Sequence, residues 1–163
     1  MEKFMNRTLS ILLLLLILVG APCVGHAALD LDKAVKVGSG KTMVIEFTDP
    51  DCPFCRKGSA YFANRSDVTR YIILNPLPMH PTAREKAEYI LSAHDKAKAY
   101  EEVLSGKMDG KKLEGISKEG IRLLQDHLAM AKEEQATSTP TYLIYGRIIK
   151  GFNQQQIEEL LGK

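Results

Sequence analysis

Two cysteines three positions apart close an apolar run, Met43-Val44-Ile45-Glu46-Phe47-Thr48-Asp49-Pro50-Asp51-Cys52-Pro53-Phe54-Cys55. A β-branched, apolar stretch bounded by turn residues reads as a buried strand. Pro53 suits the first turn of a helix, where no backbone donor is needed. The stretch therefore predicts a strand that hands over directly to a helix, with Cys52 at the helix start and Cys55 one turn on. A second fragment, Ser138-Thr139-Pro140-Thr141-Tyr142-Leu143-Ile144-Tyr145, is expected to meet it in space.

The chain has 163 residues and three cysteines, of which Cys23 falls in a segment expected to be removed. Lys3 and Arg7 precede an unbroken leucine, isoleucine and valine run over 11–19, then Gly20-Ala21-Pro22, then Gly25-His26-Ala27. This is the pattern of a secretory signal over residues 1–27, cleaved after Ala27. The run is short for a membrane span; a retained N-terminal anchor is the alternative. Lipid attachment at Cys23 is a second one, disfavoured by Pro22. Cleavage leaves 28–163 as one domain in which Cys52 and Cys55 are the only thiols, with a net charge of about +1. Localisation is expected to be the periplasm or another extracytoplasmic space, where disulfides persist. No disulfide staples distant segments, so the core must stabilise the fold alone, and the full chain, 45% apolar, has enough apolar residues to build one. The charges are mixed along the chain and give no reason to expect nucleic acid as a partner.

The rest of the chain is punctuated clearly. A short helix is expected within 29–37, a strand over 42–48, a helix over 52–64 and a strand over 68–74. One or two helices follow over 81–104, a polar loop over 106–115, and a helix over 117–135 started by Ser117. A hairpin of strands over 141–145 and 148–152, turning at Gly146-Arg147, precedes a last helix over 154–161. A βαβ half followed by a ββα half predicts an α/β fold, one central mixed sheet with helices on both faces. The helices of about 81–135 form an insert.

The thiolate is the nucleophile of a cysteine, so the surroundings of each sulfur matter. At a helix start Cys52 can accept N–H bonds from Phe54 and Cys55, and the helix dipole favours its charge. Cys55, one turn on, is placed to attack a mixed disulfide formed at Cys52. Arg56 and Lys57 favour the thiolate, while Asp49 and Asp51 oppose it. Glu46 is a charge in an apolar strand. Either the strand is an edge and Glu46 is exposed or paired with a lysine, or its carboxyl is buried behind the cysteines and exchanges the Cys55 proton. A cis bond before Pro140 would open the backbone of Thr139 to an extended substrate beside Cys52. Cys-x-x-Cys is also half of a zinc or iron–sulfur site, but no other cysteine remains to complete one. His80, His94 and His127 lack ligand spacing and are expected in solvated or core positions. No metal or cofactor is expected beyond a Cys52–Cys55 disulfide. Tyr61, Phe62, Tyr89 and Tyr100 are expected to pack.

Together, Val44 to Cys55, Thr69-Arg70-Tyr71-Ile72-Ile73-Leu74, Ala93 to Tyr100, Ser138-Thr139-Pro140-Thr141 and Gly151-Phe152 resemble the catalytic domain of the bacterial DsbC/DsbG disulfide isomerases. The resemblance implies a thioredoxin fold with a helical insert. It implies Cys52 as nucleophile, Cys55 as resolving thiol, and Thr139 with cis-Pro140, beside Pro53 and Phe54, as the substrate-facing wall. Glu46 matches the buried acid of thioredoxin and of the oxidase DsbA. Cysteine-bearing proteins are the implied substrates, and a membrane thiol donor of the DsbD kind the implied redox partner. Two departures stand out. The dimerisation domain of that family is not expected here, so a monomer is. The additional disulfide of DsbC has no cysteines to form it, and Pro53-Phe54 is closer to the dipeptide of DsbA. The activity expected is thiol–disulfide exchange on proteins, as a reductase or isomerase, with a DsbA-like oxidase as the alternative. A thiol chaperone or metal carrier is the reading from another class.

Overall fold

The computed structural model describes residues 29–162, so the expected signal and Cys23 lie outside the described residues. A single five-stranded sheet organises them. In chain order its strands are β1 (Val35–Val37), β2 (Thr42–Thr48), β3 (Val68–Leu74), β4 (Thr141–Ile144) and β5 (Arg147–Lys150). Their spatial order is β1-β3-β2-β4-β5, and only the central β2–β3 pair is parallel. The helices are α1 (Pro53–Phe62), α2 (Ala83–Ser92), α3 (Lys96–Leu104), α4 (Lys118–Glu133) and α5 (Gln154–Leu161). No helix among the described residues is long and apolar enough to cross a membrane.

β2 and β3 read as near-continuous apolar runs because both faces of each are covered, the rule for parallel pairs. Strand register puts Val44, Glu46, Ile72, Leu74, Tyr142 and Ile149 on one face. There Phe62 of α1 and Ile157 of α5 pack beside Val44 and Tyr142, and the insert packs beside Ile72 and Leu74. The other face carries Ile45, Phe47 and Ile73 against Met130 and Ala131 of α4. Gly58 lets α1 approach the sheet: a Cβ there would run into the Tyr142 hydroxyl.

Two expectations are corrected. The segment 29–37 is not a helix. Leu31–Lys33 is a single 3₁₀ turn, and Val35–Val37 is an edge strand paired antiparallel with β3. Leu31, Ala34 and Val35 fit a helical period, but three residues can gain more by extending an existing sheet edge and burying Val35 and Val37. The hairpin turns one residue earlier than expected, at Tyr145-Gly146, both with positive φ, the geometry of a type I′ turn.

His127 takes the core alternative. It is fully buried on α4, its Nδ1 accepts the Leu74 amide at 2.9 Å, and its Nε2–H donates to the Lys33 carbonyl at 2.8 Å. Burial lowers its pKa and keeps the ring neutral. A folded-state value below the unfolded one means that stability is complete above about pH 6.5 and is lost as pH falls. Denaturant titrations should show stability falling by up to about 1.4 kcal/mol per pH unit below that point, with a shallower slope in His127→Gln.

Candidate active site

β2 ends at Thr48, and the chain turns through Asp49-Pro50-Asp51 into α1. Asp49 holds this turn. Its carboxylate is fully buried, and one oxygen takes the amides of Asp51 at 2.8 Å and Cys52 at 3.1 Å. The other oxygen takes the Leu77 amide at 2.6 Å and the His80 Nδ1–H at 2.9 Å. The Asp49 amide in turn donates to the Cys55 sulfur at 3.3 Å. One residue thus fixes the backbone of the first cysteine, touches the sulfur of the second, and pins the loop before α2. Sequence reading saw Asp49 only as a charge opposing the thiolate. An Asp that can accept amides two and three residues on was the available signal.

Cys52 is the N-cap of α1, in extended conformation, with no side-chain capping bond. Its thiol faces the segment before β4 and donates to the Thr139 carbonyl at 3.5 Å. The sulfur therefore bonds across the site rather than to the Phe54 and Cys55 amides expected from the sequence. Cys52 is 6% exposed, and Cys55 is fully buried. Both are free thiols. Burial drives the Cys55 pKa far up; the Asp49 amide and the Thr48 side chain oppose this, and the nearby charges of Cys52 and Glu46 add to it. As a thiol, Cys55 is strongly biased towards keeping its proton until something removes it.

The two sequence fragments do meet. β4 pairs with β2, Thr139-Pro140 opens β4, and the Thr139–Pro140 peptide bond is cis. Pro53 and Phe54 are exposed between the two cysteines, and Lys57 lies over the Phe54 ring at 5.4 Å. Arg56, expected to favour the thiolate, is engaged elsewhere, by Asp51 at 3.1 Å and Asp109 at 2.6 Å. His80 joins the site through Asp49. His94 is exposed between α2 and α3. Among the described residues no group of three or more histidine, cysteine or acidic side chains is arranged to hold a metal ion.

Glu46 sits in the central strand, fully buried, so the edge alternative fails on topology. Its partner is an arginine, not a lysine. Arg70 Nη1 of β3 donates to Glu46 Oε2 at 3.1 Å, and the Tyr100 hydroxyl of α3 donates to Oε1 at 3.3 Å. The Arg70 guanidinium lies over the rings of Phe62 at 5.3 Å and Tyr100 at 5.4 Å. Burial would lower the Arg70 pKa, but Tyr100 and Glu46 outweigh it and hold the value up. Burial, then the Glu46 charge, raises that of Tyr100. The cluster is a buried ion pair beneath α1, on the same sheet face as Cys55. Arg70 and the bonding role of Tyr100 were missed; a second charge in an apolar strand, Arg70, was the sign available.

Known proteins are similar to this chain in sequence or in fold. A Bordetella avium protein named "Probable thiol:disulfide interchange protein DsbC" is 34% identical over 87 residues, which span 52% of this chain and 31% of that protein, about a third of its length. The crystal structure of a disulfide interchange protein from Neisseria gonorrhoeae superposes with a TM-score of 0.68 at 32% identity, over 80% of this chain and 94% of that one. A periplasmic thioredoxin-like protein from Salmonella enterica serovar Typhimurium shares the fold, with a TM-score of 0.64 at 18% identity over 87% of this chain and 96% of that one. The thioredoxin-like domain profile matches residues 29–163. That match spans the whole of the described domain, Cys52, Cys55 and the Thr139-Pro140 segment included, and the chain belongs to the thioredoxin-like domain family.

Proposed function

We propose that the chain is an exported thiol–disulfide oxidoreductase acting on protein disulfides, a DsbC/DsbG-like reductase or isomerase. The observation that carries it is the Cys52 thiol at the head of α1, 3.5 Å from the Thr139 carbonyl, with Cys55 buried one turn behind. The Cys52 thiolate attacks one sulfur of a client disulfide. The client S–S bond breaks, one client thiolate leaves, and a mixed disulfide forms. Cys55 then gives up its proton, attacks the Cys52 sulfur and closes the Cys52–Cys55 disulfide, releasing the second client thiol. The client gains two electrons, and the Cys52–Cys55 pair loses them. Reduction by a membrane thiol donor completes a cycle; re-oxidation after reversed transfer is the oxidase alternative.

Thr139 and Pro140 form one wall for the client, with Pro53 and Phe54 opposite. Buried Cys55 holds its proton tightly, and Glu46, buried on the same sheet face, is the group that takes that proton and returns it. Periplasmic location is supported by the basic, apolar and small-residue pattern of residues 1–27 and by the named location of the Salmonella neighbour. The deciding experiment is insulin reduction with glutathione as electron donor, together with the equilibrium of the Cys52–Cys55 pair in glutathione buffers. Catalysed precipitation of insulin is expected, with a couple clearly more reducing than that of a strong oxidant. A couple near that of a strong oxidant, about −120 mV, sinks the reductase version. Failure in insulin reduction with metal bound at a fixed ratio supports the carrier reading instead.

A further inference from the structure

The insert reaches back to the active-site turn through charged side chains. Asp51 directly precedes Cys52, and Arg56 lies one turn beyond it on α1. Lys86 comes from α2 and Asp109 from the loop after α3. Arg56 grips Asp109 with both terminal nitrogens, at 2.6 and 2.9 Å, and reaches Asp51 at 3.1 Å. Its Nε donates to the Pro50 carbonyl at 3.1 Å, which lays the guanidinium along the turn itself. Lys86 donates to Asp51 and, at 2.6 Å, to Asp109, and the Thr82 hydroxyl also donates to Asp51. The ring closes with two carboxylates, two cations and no net charge. Two parallel bonds from an arginine to a carboxylate are the strong, directional form of this contact. Lys86 is nearly buried, with 9% of its side chain exposed, so the ring is partly shielded from water.

We propose that Asp109 is a remote positioning residue for the thiol pair: by gripping Arg56 and balancing the ring, it keeps positive charge away from Cys52 and so sets the dithiol–disulfide equilibrium. The inference rests on the redox reading of Cys52 and Cys55 given above. Residues four apart on a helix are neighbours, so an Arg56 that loses its two Asp109 bonds, and keeps only Asp51 and the Pro50 carbonyl, is freer to turn its charge towards Cys52. Without any movement, a ring lacking Asp109 still carries one net positive charge beside a helix start that already favours a thiolate. Both effects stabilise the dithiol state relative to the disulfide, and a couple whose reduced form is stabilised becomes more oxidising. Removing a cation from the ring acts in the opposite sense. The sign of the shift therefore follows the charge removed.

The test equilibrates the protein with reduced and oxidised glutathione at neutral pH and low salt, then counts free thiols by alkylation and mass. The reaction followed is protein disulfide plus two glutathione thiols going to protein dithiol plus glutathione disulfide. Asp109→Asn should raise its equilibrium constant by about three- to tenfold, the upper value being about 30 mV, and Asp109→Lys should raise it further. Arg56→Gln should lower it. The double variant Asp109→Asn/Arg56→Gln should return to within about twofold of wild type, and high salt should shrink every shift. Loosening of the insert alone would move all variants the same way. Shifts of equal sign for Asp109→Asn and Arg56→Gln, or shifts below about twofold, overturn the proposal while leaving the redox reading intact. A wild-type protein that forms no Cys52–Cys55 disulfide at any glutathione ratio overturns the redox reading, and the inference with it.

Discussion

Arg70→Leu is expected to destabilise the protein by about 3–5 kcal/mol, the cost of stranding one member of a buried ion pair. For a domain of this size that corresponds to a fall in Tm of roughly 10–20 °C, measurable by thermal or denaturant unfolding. The reasons are local. Glu46 has no exposure, Arg70 has 4% of its side chain exposed, and the Tyr100 hydroxyl is the only other hydrogen-bond donor found for the carboxylate among the described residues. Arg70→Leu also empties the space between the Phe62 and Tyr100 rings. Replacing both partners, Glu46→Leu with Arg70→Leu, should recover most of the loss, because the desolvation of two charges is then no longer needed. A loss below about 1 kcal/mol in Arg70→Leu would show that the carboxyl is held by something else. Glu46→Gln separates chemistry from stability. Under the role proposed for Glu46, stopped-flow measurement should find the decay of the mixed disulfide slowed more than its formation. Equal slowing of both steps argues against that role.

Cys52→Ser should abolish disulfide exchange, by at least about a thousandfold in insulin reduction, because removing the nucleophile of a unit that acts together removes nearly all of its rate. Cys55→Ser should behave differently. The first attack survives and the resolving step does not, so client protein should accumulate as a covalent adduct on Cys52. Non-reducing electrophoresis and intact mass would reveal it, and a reductant should release it. The asymmetry follows from burial: Cys52 faces the Thr139 segment, whereas Cys55 has no exposed surface. Turnover by Cys55→Ser at the wild-type rate would be incompatible with a two-thiol mechanism.

What the sequence made legible was local. The strand 42–48, the helix started by Pro53 and the final hairpin follow from β-branching, proline placement and turn residues, and each forms close to where expected. Glu46 was visible as an oddity because a carboxylate in an apolar strand breaks the pattern. Its partner was not visible, because the pairing of β2 with β3 brings Arg70 close from 24 residues away. Arg56 shows the same limit. Counting neighbours in the chain assigned its charge to Cys52, whereas the fold assigns it to Asp109, 53 residues on. β1 was hidden for another reason: three residues carry too little pattern to distinguish a helix turn from a strand, and the edge of β3 decides. Asp49 shows only a charge in the sequence, because half of its donors, Leu77 and His80, come from a loop about thirty residues on.

The seat of α1 has a consequence of its own. At Gly58 the helix rests against Tyr142 of β4, at a separation that leaves no room for even a methyl group. Cys52 and Cys55 ride on that helix, and Thr139 leads into that strand. The gap between the attacking sulfur and the wall it works against is therefore gauged by a hydrogen atom: a bulkier residue 58 would act as a shim, lifting both thiols together and widening the slot a client must enter.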